Sequence, residues 1–128
     1  MITLKDYYKG RDKQYSKDLT DNVRTNAEKL LLKVNEMLSR FGQDRGVNSG
    51  WRPYSLQMEI NPRAPNSKHV TGDAIDLEDK DGKLKEWCVF YLHHLEELGL
   101  WLEHPSATPT WVHVQQKPPG SGKRIFHP

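Results

Sequence analysis

The segment SKHVTGDAID, residues 67–76, places a histidine in a loop and a carboxylate on the strand that follows it. Gly72 lets the backbone turn sharply between the two, because glycine has no Cβ. Side chains alternate along a strand, so Ala74 and Asp76 point to the same face of the predicted strand. The small Ala74 side chain leaves room beside the carboxylate. This segment therefore predicts a polar site where a loop enters a strand.

A second histidine, His113, lies in a run that alternates apolar and polar residues, which predicts another strand. The alternation turns Val112 and Val114 towards the core, and the opposite face carries Trp111, His113 and Gln115. The polar face of this strand can therefore contribute to a site.

Two imidazoles and one carboxylate form a standard ligand set for catalytic zinc, with a fourth position open for water. We therefore predict one zinc ion on His69, Asp76 and His113. Taken singly, each of these side chains is more often an ordinary polar residue than a ligand. The interpretation rests on their occurrence together.

The remaining pattern predicts an α+β fold with a small antiparallel sheet and two main helices packed on it. Apolar residues recur at three- and four-residue steps over residues 19–41 and 83–98, and a glycine follows each stretch. The predicted strands are residues 47–50, 72–78, 100–103 and 110–115. Residues 61–68 hold two prolines and no periodic pattern, which predicts a loop.

The chain length predicts one domain over residues 1–128. Residues 1–17 are polar with scattered aromatics and are expected to form an irregular arm. Residues 116–128 are rich in proline and glycine and are expected to form an extended tail. A single cysteine, Cys88, excludes an intrachain disulfide, and its helical setting predicts a small buried filler rather than a catalytic thiol.

The net charge of +2 comes from interspersed acids and bases, with no basic-aromatic stripe, which argues against nucleic-acid binding. It suits a weak attraction to anionic polymers such as cell walls. No apolar run reaches the length of a signal peptide or a membrane span, so we expect synthesis in the cytoplasm and no membrane insertion. We expect a monomer.

The motifs resemble those of a known family. SKHVTGDAID is similar to Ser-x-His-x-x-Gly-x-Ala-x-Asp, and WVHV to the Trp-x-His strand, of the zinc D-Ala-D-Ala carboxypeptidases. That family also holds D,D-dipeptidases and phage L-alanyl-D-glutamate endolysins, within the hedgehog/DD-peptidase fold group. NSGWRP, residues 48–53, resembles its Ser-Gly-Tyr-Arg-type segment. The likeness runs from about Val47 to the C-terminus, and the preceding helix and the SGKRIF tail look like the short phage branch.

This resemblance implies a zinc metallopeptidase, a carboxypeptidase or endopeptidase, that cleaves peptidoglycan stem peptides. It places zinc on the three predicted ligands. It implies that Arg52 binds substrate near the scissile carbonyl or a carboxylate and that Ser67 donates or accepts a hydrogen bond near the site. Trp51 and Trp111 could each line the cleft or belong to the core, and Trp111 is the candidate for substrate binding. The implied site of action is the cell wall or periplasm, reached through phage lysis or a virion.

The sequence departs from the family at the general base. Many members have a glutamate three residues before the last histidine, where this chain has Thr110. The nearest acid is Glu103, and a hairpin through residues 104–110 would bring it beside His113, so Glu103 is the predicted base. His104 is expected either to orient Glu103, to contact substrate or to do neither. Thr110 also favours an alternative, a non-catalytic zinc module that binds the cell wall or builds a phage particle.

Overall fold

A five-stranded sheet organises the structure, a computed structural model that describes all of residues 1–128. Its strands follow the spatial order β1-β2-β4-β3-β5. All neighbours are antiparallel except β3 and β5, which are parallel. The strands are β1 Val47–Ser49, β2 Ala74–Glu78, β3 Trp101–Glu103, β4 Trp111–Gln115 and β5 Ile125–Phe126. The predicted α+β class is confirmed.

Six α-helices accompany the sheet. They are α1 Leu4–Tyr8, α2 Arg11–Gln14, α3 Asp21–Phe41, α4 Tyr54–Ile60, α5 Lys83–Phe90 and α6 Leu92–Leu98. The long helix α3 begins after Thr20, whose hydroxyl accepts a hydrogen bond from the amide of Val23, and ends at Gly42 in the left-handed region. The predicted helix over residues 83–98 is broken at Tyr91, whose ψ of 45° is not helical. Its apolar stripe continues across the break, so periodicity did not reveal it.

The prediction of an irregular arm over residues 1–17 is wrong. Helix α1 begins at a capping box, in which Thr3 and Asp6 exchange hydrogen bonds with each other's backbone amides. Tyr7 is fully buried, and its hydroxyl donates to the carbonyl of Ala74 at 2.9 Å. The N-terminal segment therefore packs directly against the strand that carries Asp76.

Two further elements were not predicted. Helix α4 follows Pro53, and because its only buried residue is Gln57 it has no apolar stripe to recognise. The tail 116–128 contains bends and a turn at residues 120–121, and Ile125 and Phe126 pair with β3 as the fifth strand. The expected loop over residues 61–68 consists of turns without helix or strand.

The sheet has one apolar and one polar face. Ile75, Leu77, Val112 and Val114 are fully buried in a core shared with the helices. Alternation along the strands turns the intervening side chains to the other face. The candidate site therefore lies on the side of the sheet away from this core. None of the helices combines the length and apolarity needed to cross a membrane.

The reactivity of the Cys88 thiol measures how tightly α5 packs against the core. Its side chain is fully buried, and burial raises the pKa of the thiol to about 12. Because the thiolate is the reactive form and a rise of about three pKa units lowers its population about 1000-fold, we expect a disulfide reagent at neutral pH to react at least about 100-fold more slowly with the native protein than in denaturant. The absorbance of the aromatic thiolate released from the reagent measures the rate in each state. Equal rates would show that Cys88 is accessible.

Candidate metal centre

The sheet register brings the predicted site residues together. Asp76 on β2 lies directly opposite His113 on β4. On the other side of β4, Leu102 pairs with Val114, which places Glu103 next to His113 across the hairpin. Three side chains from three neighbouring strands therefore project from the same face. His69 enters from the loop that precedes β2.

The three predicted ligands face one another at short range. Nε2 of His69 lies 3.2 Å from Oδ2 of Asp76, and Nδ1 of His113 lies 2.9 Å from Oδ1 of Asp76. One nitrogen or oxygen from each residue falls within 4.8 Å of the others. Both imidazoles are buried, and the Asp76 side chain is 14% exposed. This spacing suits three ligands converging on one cation.

The outer nitrogen of His69 is held by a backbone carbonyl. Its Nδ1 lies 2.8 Å from the oxygen of Gly50, and because a carbonyl only accepts, Nδ1 carries the proton. This leaves Nε2 facing Asp76. A Cβ on Gly50 would lie 2.1 Å from the carbonyl oxygen of Tyr7, so only glycine fits where α1 passes this close.

The outer nitrogen of His113 is held by an amide. Its Nε2 lies 2.8 Å from Oε1 of Gln115, and the Gln115 Nε2 donates to the carbonyl of Lys117 at 2.8 Å. The second bond fixes which end of the amide faces the imidazole, so Nε2 of His113 donates. Its Nδ1 is then the nitrogen that faces Asp76. Such outer hydrogen bonds are the usual means of orienting metal-binding histidines.

The electrostatics keep Asp76 ionised. Burial raises the pKa of the Asp76 carboxyl, but the adjacent imidazoles of His113 and His69 outweigh that effect and lower it. Burial lowers the pKa of His69 below its ordinary value despite the attraction of Asp76. Burial also acts to lower the pKa of His113, but Asp76 and Glu103 together raise it. A carboxylate between two imidazoles is a donor set that a divalent cation prefers.

Glu103 lies beside His113, the position that the predicted hairpin gives it. Its Oε2 lies 3.7 Å from Nδ1 of His113, and its side chain is 18% exposed. Burial raises the pKa of the Glu103 carboxyl, His113 opposes the rise and Asp76 adds to it. Thr110 is exposed and lies outside the cleft, where its carbonyl accepts a hydrogen bond from the amide of Asp79.

Arg52 reaches the centre from the turn after β1. Its Nη1 donates to Oε1 of Gln57 at 2.8 Å and its Nη2 to the hydroxyl of Ser49 at 3.0 Å. The same Nη2 lies 3.9 Å from Oδ2 of Asp76. Ser67 lies at the start of the His69 loop, and its hydroxyl accepts from the His69 amide at 3.3 Å.

These groups line an open cleft of about 640 Å³. Ser67 and Trp111 both contribute to its walls. Trp51 is 1% exposed, belongs to the core and donates from its indole nitrogen to the carbonyl of Val70, so of the two tryptophans only Trp111 lines the cleft. His104 bonds to Ser106 and stacks on His127 rather than contacting Glu103.

A family model described as Peptidase M15 matches residues 6–115. The chain belongs to the Peptidase M15 family. The resemblance stated from the motifs is thereby confirmed, and the match begins well before Val47. No curated protein and no solved structure gives a significant match. Membership makes the chain a metallopeptidase of a zinc-dependent family and supports a peptidase that acts on peptidoglycan in general.

In this M15 peptidase the donor set fits the family's metal. Zinc accepts imidazole nitrogen and carboxylate oxygen in tetrahedral sites, and here each imidazole is already oriented by a second hydrogen bond. Sequence reasoning missed the orienting residues Gly50 and Gln115. The role of Gln115 could have been predicted from strand alternation, since it shares the face of His113 two residues along β4. The role of the Gly50 carbonyl could not, because the direction of that carbonyl depends on how a separate turn packs.

Proposed function

We propose that this M15 peptidase hydrolyses amide bonds in peptidoglycan stem peptides or cross-links, as a zinc-dependent carboxypeptidase or endopeptidase. The observation that supports this proposal is that Glu103 lies beside His69, Asp76 and His113 in one open cleft. The proposed site of action is the cell wall or periplasm, reached as a phage endolysin would reach it, and the proposed active form is a monomer.

The three candidate ligands would hold one zinc ion at the floor of the cleft. When bound, zinc polarises the scissile carbonyl and lowers the pKa of a water molecule. Asp76 supplies the negative charge of the set, and His69 and His113 supply oriented nitrogens. The burial of both imidazoles limits competition from solvent.

Glu103 is the proposed general base. Its carboxylate accepts a proton from the attacking water as the water oxygen bonds to the carbonyl carbon. The same proton then passes to the amide nitrogen as the carbon–nitrogen bond breaks, which releases an amine and a carboxylate. Arg52 stabilises the oxyanion that forms on the carbonyl oxygen. Ser67 and Trp111 bind the peptide along the cleft.

The alternative, a non-catalytic zinc module that binds cell wall or forms part of a phage particle, drew its support from Thr110. The position of Glu103 weakens that support, because an acid stands within 3.7 Å of His113 without any contribution from residue 110. A partly buried carboxylate that faces an open cleft beside the candidate ligands is suited to a catalytic role.

Purified sacculi test the proposal directly. We expect the zinc-loaded protein to release new amino and carboxyl termini, identified by mass spectrometry, and their positions would name the bond. Chelation should abolish the release, and added zinc should restore it. A protein that binds zinc and sacculi but releases no amine would support the binding module instead.

A further inference from the structure

Strand β5 lies outside the segment that matches the family, yet it borders the strand that carries the proposed base. The family match ends at the last residue of β4. In the parallel pairing of β3 with β5, Leu102 lies opposite Ile125 and Glu103 opposite Phe126. On the other side of β3, the pairing with β4 covers only Trp101 and Leu102. Glu103 therefore has its cross-strand partner on β5.

Hydrogen bonds to β5 fix the backbone on both sides of Glu103. The amide of Leu102 donates to the carbonyl of Arg124 at 2.8 Å, and the amide of His104 donates to the carbonyl of Phe126 at 2.7 Å. Because the direction of a side chain in a strand follows from its backbone, these bonds help to set where the Glu103 side chain points.

Side-chain contacts anchor β5 to β3 at both ends. Nη1 of Arg124 donates to the carbonyl of Leu100 at 2.9 Å, and Cζ of the same guanidinium lies 4.3 Å from the centroid of the Trp101 ring. At the other end the imidazole of His127 stacks on that of His104, with 4.3 Å between the ring centroids. The position of β5 is therefore well defined although the strand is short.

The side chain of Phe126 reaches from β5 to the metal centre. It lines the cleft, is 9% exposed and lies edge-to-face with the imidazole of His113, with 6.1 Å between the ring centroids. Because β3 separates β5 from β4, the backbones of the two strands are roughly 10 Å apart. The two rings therefore lean towards each other over β3, at the level of Glu103.

No hydrogen bond within the protein holds the carboxylate of Glu103. Its contact with Nδ1 of His113 is 3.7 Å long, whereas both nitrogens of His113 have closer partners, Asp76 at 2.9 Å and Gln115 at 2.8 Å. The position of the Glu103 carboxylate therefore depends on the backbone of β3 and on the side chains that pack around it. Strand β5 contributes to both.

We propose that Phe126 is a positioning residue that keeps the carboxylate of Glu103 beside His113, which makes β5 part of the active site. This inference rests on the proposed function, in which Glu103 is the base. A base must lie within hydrogen-bond reach of the attacking water, and a misplacement of about 1 Å can cost about 100-fold in rate. Loss of the ring should therefore lower kcat, while KM and zinc binding stay nearly unchanged.

Replacement of Phe126 by leucine removes the ring but keeps an apolar side chain. We expect Phe126→Leu to lower kcat on peptidoglycan peptides about 10- to 100-fold, with KM and zinc content nearly unchanged. Phe126→Tyr retains the ring and should recover most of this loss. The matched control is Phe90→Leu, on α5 and outside the cleft, which should cleave at the wild-type rate. Thermal unfolding of each variant checks that the fold persists.

A second substitution tests whether Phe126 acts through Glu103. In a protein that already carries Glu103→Gln, Phe126→Leu should cost little further activity, because the base that the ring positions is absent. An equal fold-loss in the two backgrounds would overturn the proposal, and so would an equal loss in Phe90→Leu.

Nuclear Overhauser effects between the side-chain protons of Glu103 and the imidazole protons of His113 report their separation without turnover. We expect these effects in the zinc-loaded wild type, Phe126→Tyr and Phe90→Leu, and their loss in Phe126→Leu. Effects of equal size in Phe126→Leu would overturn the positioning role. Failure of the wild type to cleave sacculi would overturn the proposed function alone, since the Overhauser effects would still show whether Phe126 positions Glu103.

Discussion

Replacement of Glu103 by glutamine is expected to lower kcat/KM on peptidoglycan peptides by about 10²–10⁴, with zinc content unchanged at one ion per chain. Glutamine has the shape of glutamate but cannot accept the proton of the attacking water. Glu103 lies beside His113 without being one of the three clustered ligands, so zinc should remain bound. Single-turnover hydrolysis and elemental analysis of the same preparation separate the two effects.

Thr110→Ala is the matched control for Glu103→Gln, because Thr110 occupies the position where many relatives place the base. Its side chain is exposed and outside the cleft, so the variant should hydrolyse peptide at the wild-type rate. Wild-type turnover by Glu103→Gln would assign the base elsewhere. A large loss in Thr110→Ala would show that the family position still contributes.

Strand alternation explains why the floor of the site was predictable. Once the runs around Asp76 and His113 are recognised as strands, a period of two decides which side chains share a face. The short connection between Glu103 and Trp111 predicts a hairpin, and antiparallel pairing then sets Glu103 beside His113. Alternation and one short connection thus predicted which face carries Asp76, His113 and the proposed base Glu103. The grouping of His69 with them rested on the zinc ligand set and on the family resemblance.

The residues that orient the site could not be predicted from the local sequence pattern. The carbonyl of Gly50 and the amide of Gln57 act across turns whose packing depends on distant parts of the chain. Helix α1 did carry a local signal, the Thr3 and Asp6 capping box, but its few apolar residues show no helical period. The break at Tyr91 has neither glycine nor proline to mark it. These features follow from tertiary packing, which overrides weak local preference.

Gln115→Leu is expected to weaken zinc binding by about 10- to 100-fold. Leucine fills a similar volume but offers no oxygen to Nε2 of His113, so the imidazole loses the bond that sets its orientation and tautomer. Competition with a chelating dye measures the zinc affinity, and circular dichroism of the metal-free protein checks that the fold persists.

Two further substitutions separate an orienting role for Gln115 from simple packing. Gln115→Glu keeps an oxygen acceptor for His113 while losing the donor to Lys117, so it should retain most of the zinc affinity. Gln14→Leu, at an exposed position on α2, should leave zinc binding unchanged. If Gln115→Leu and Gln115→Glu weakened zinc binding equally, the acceptor would not be the reason. A loss confined to the leucine variant would show that the amide oxygen of Gln115 orients the imidazole that contacts both Asp76 and Glu103.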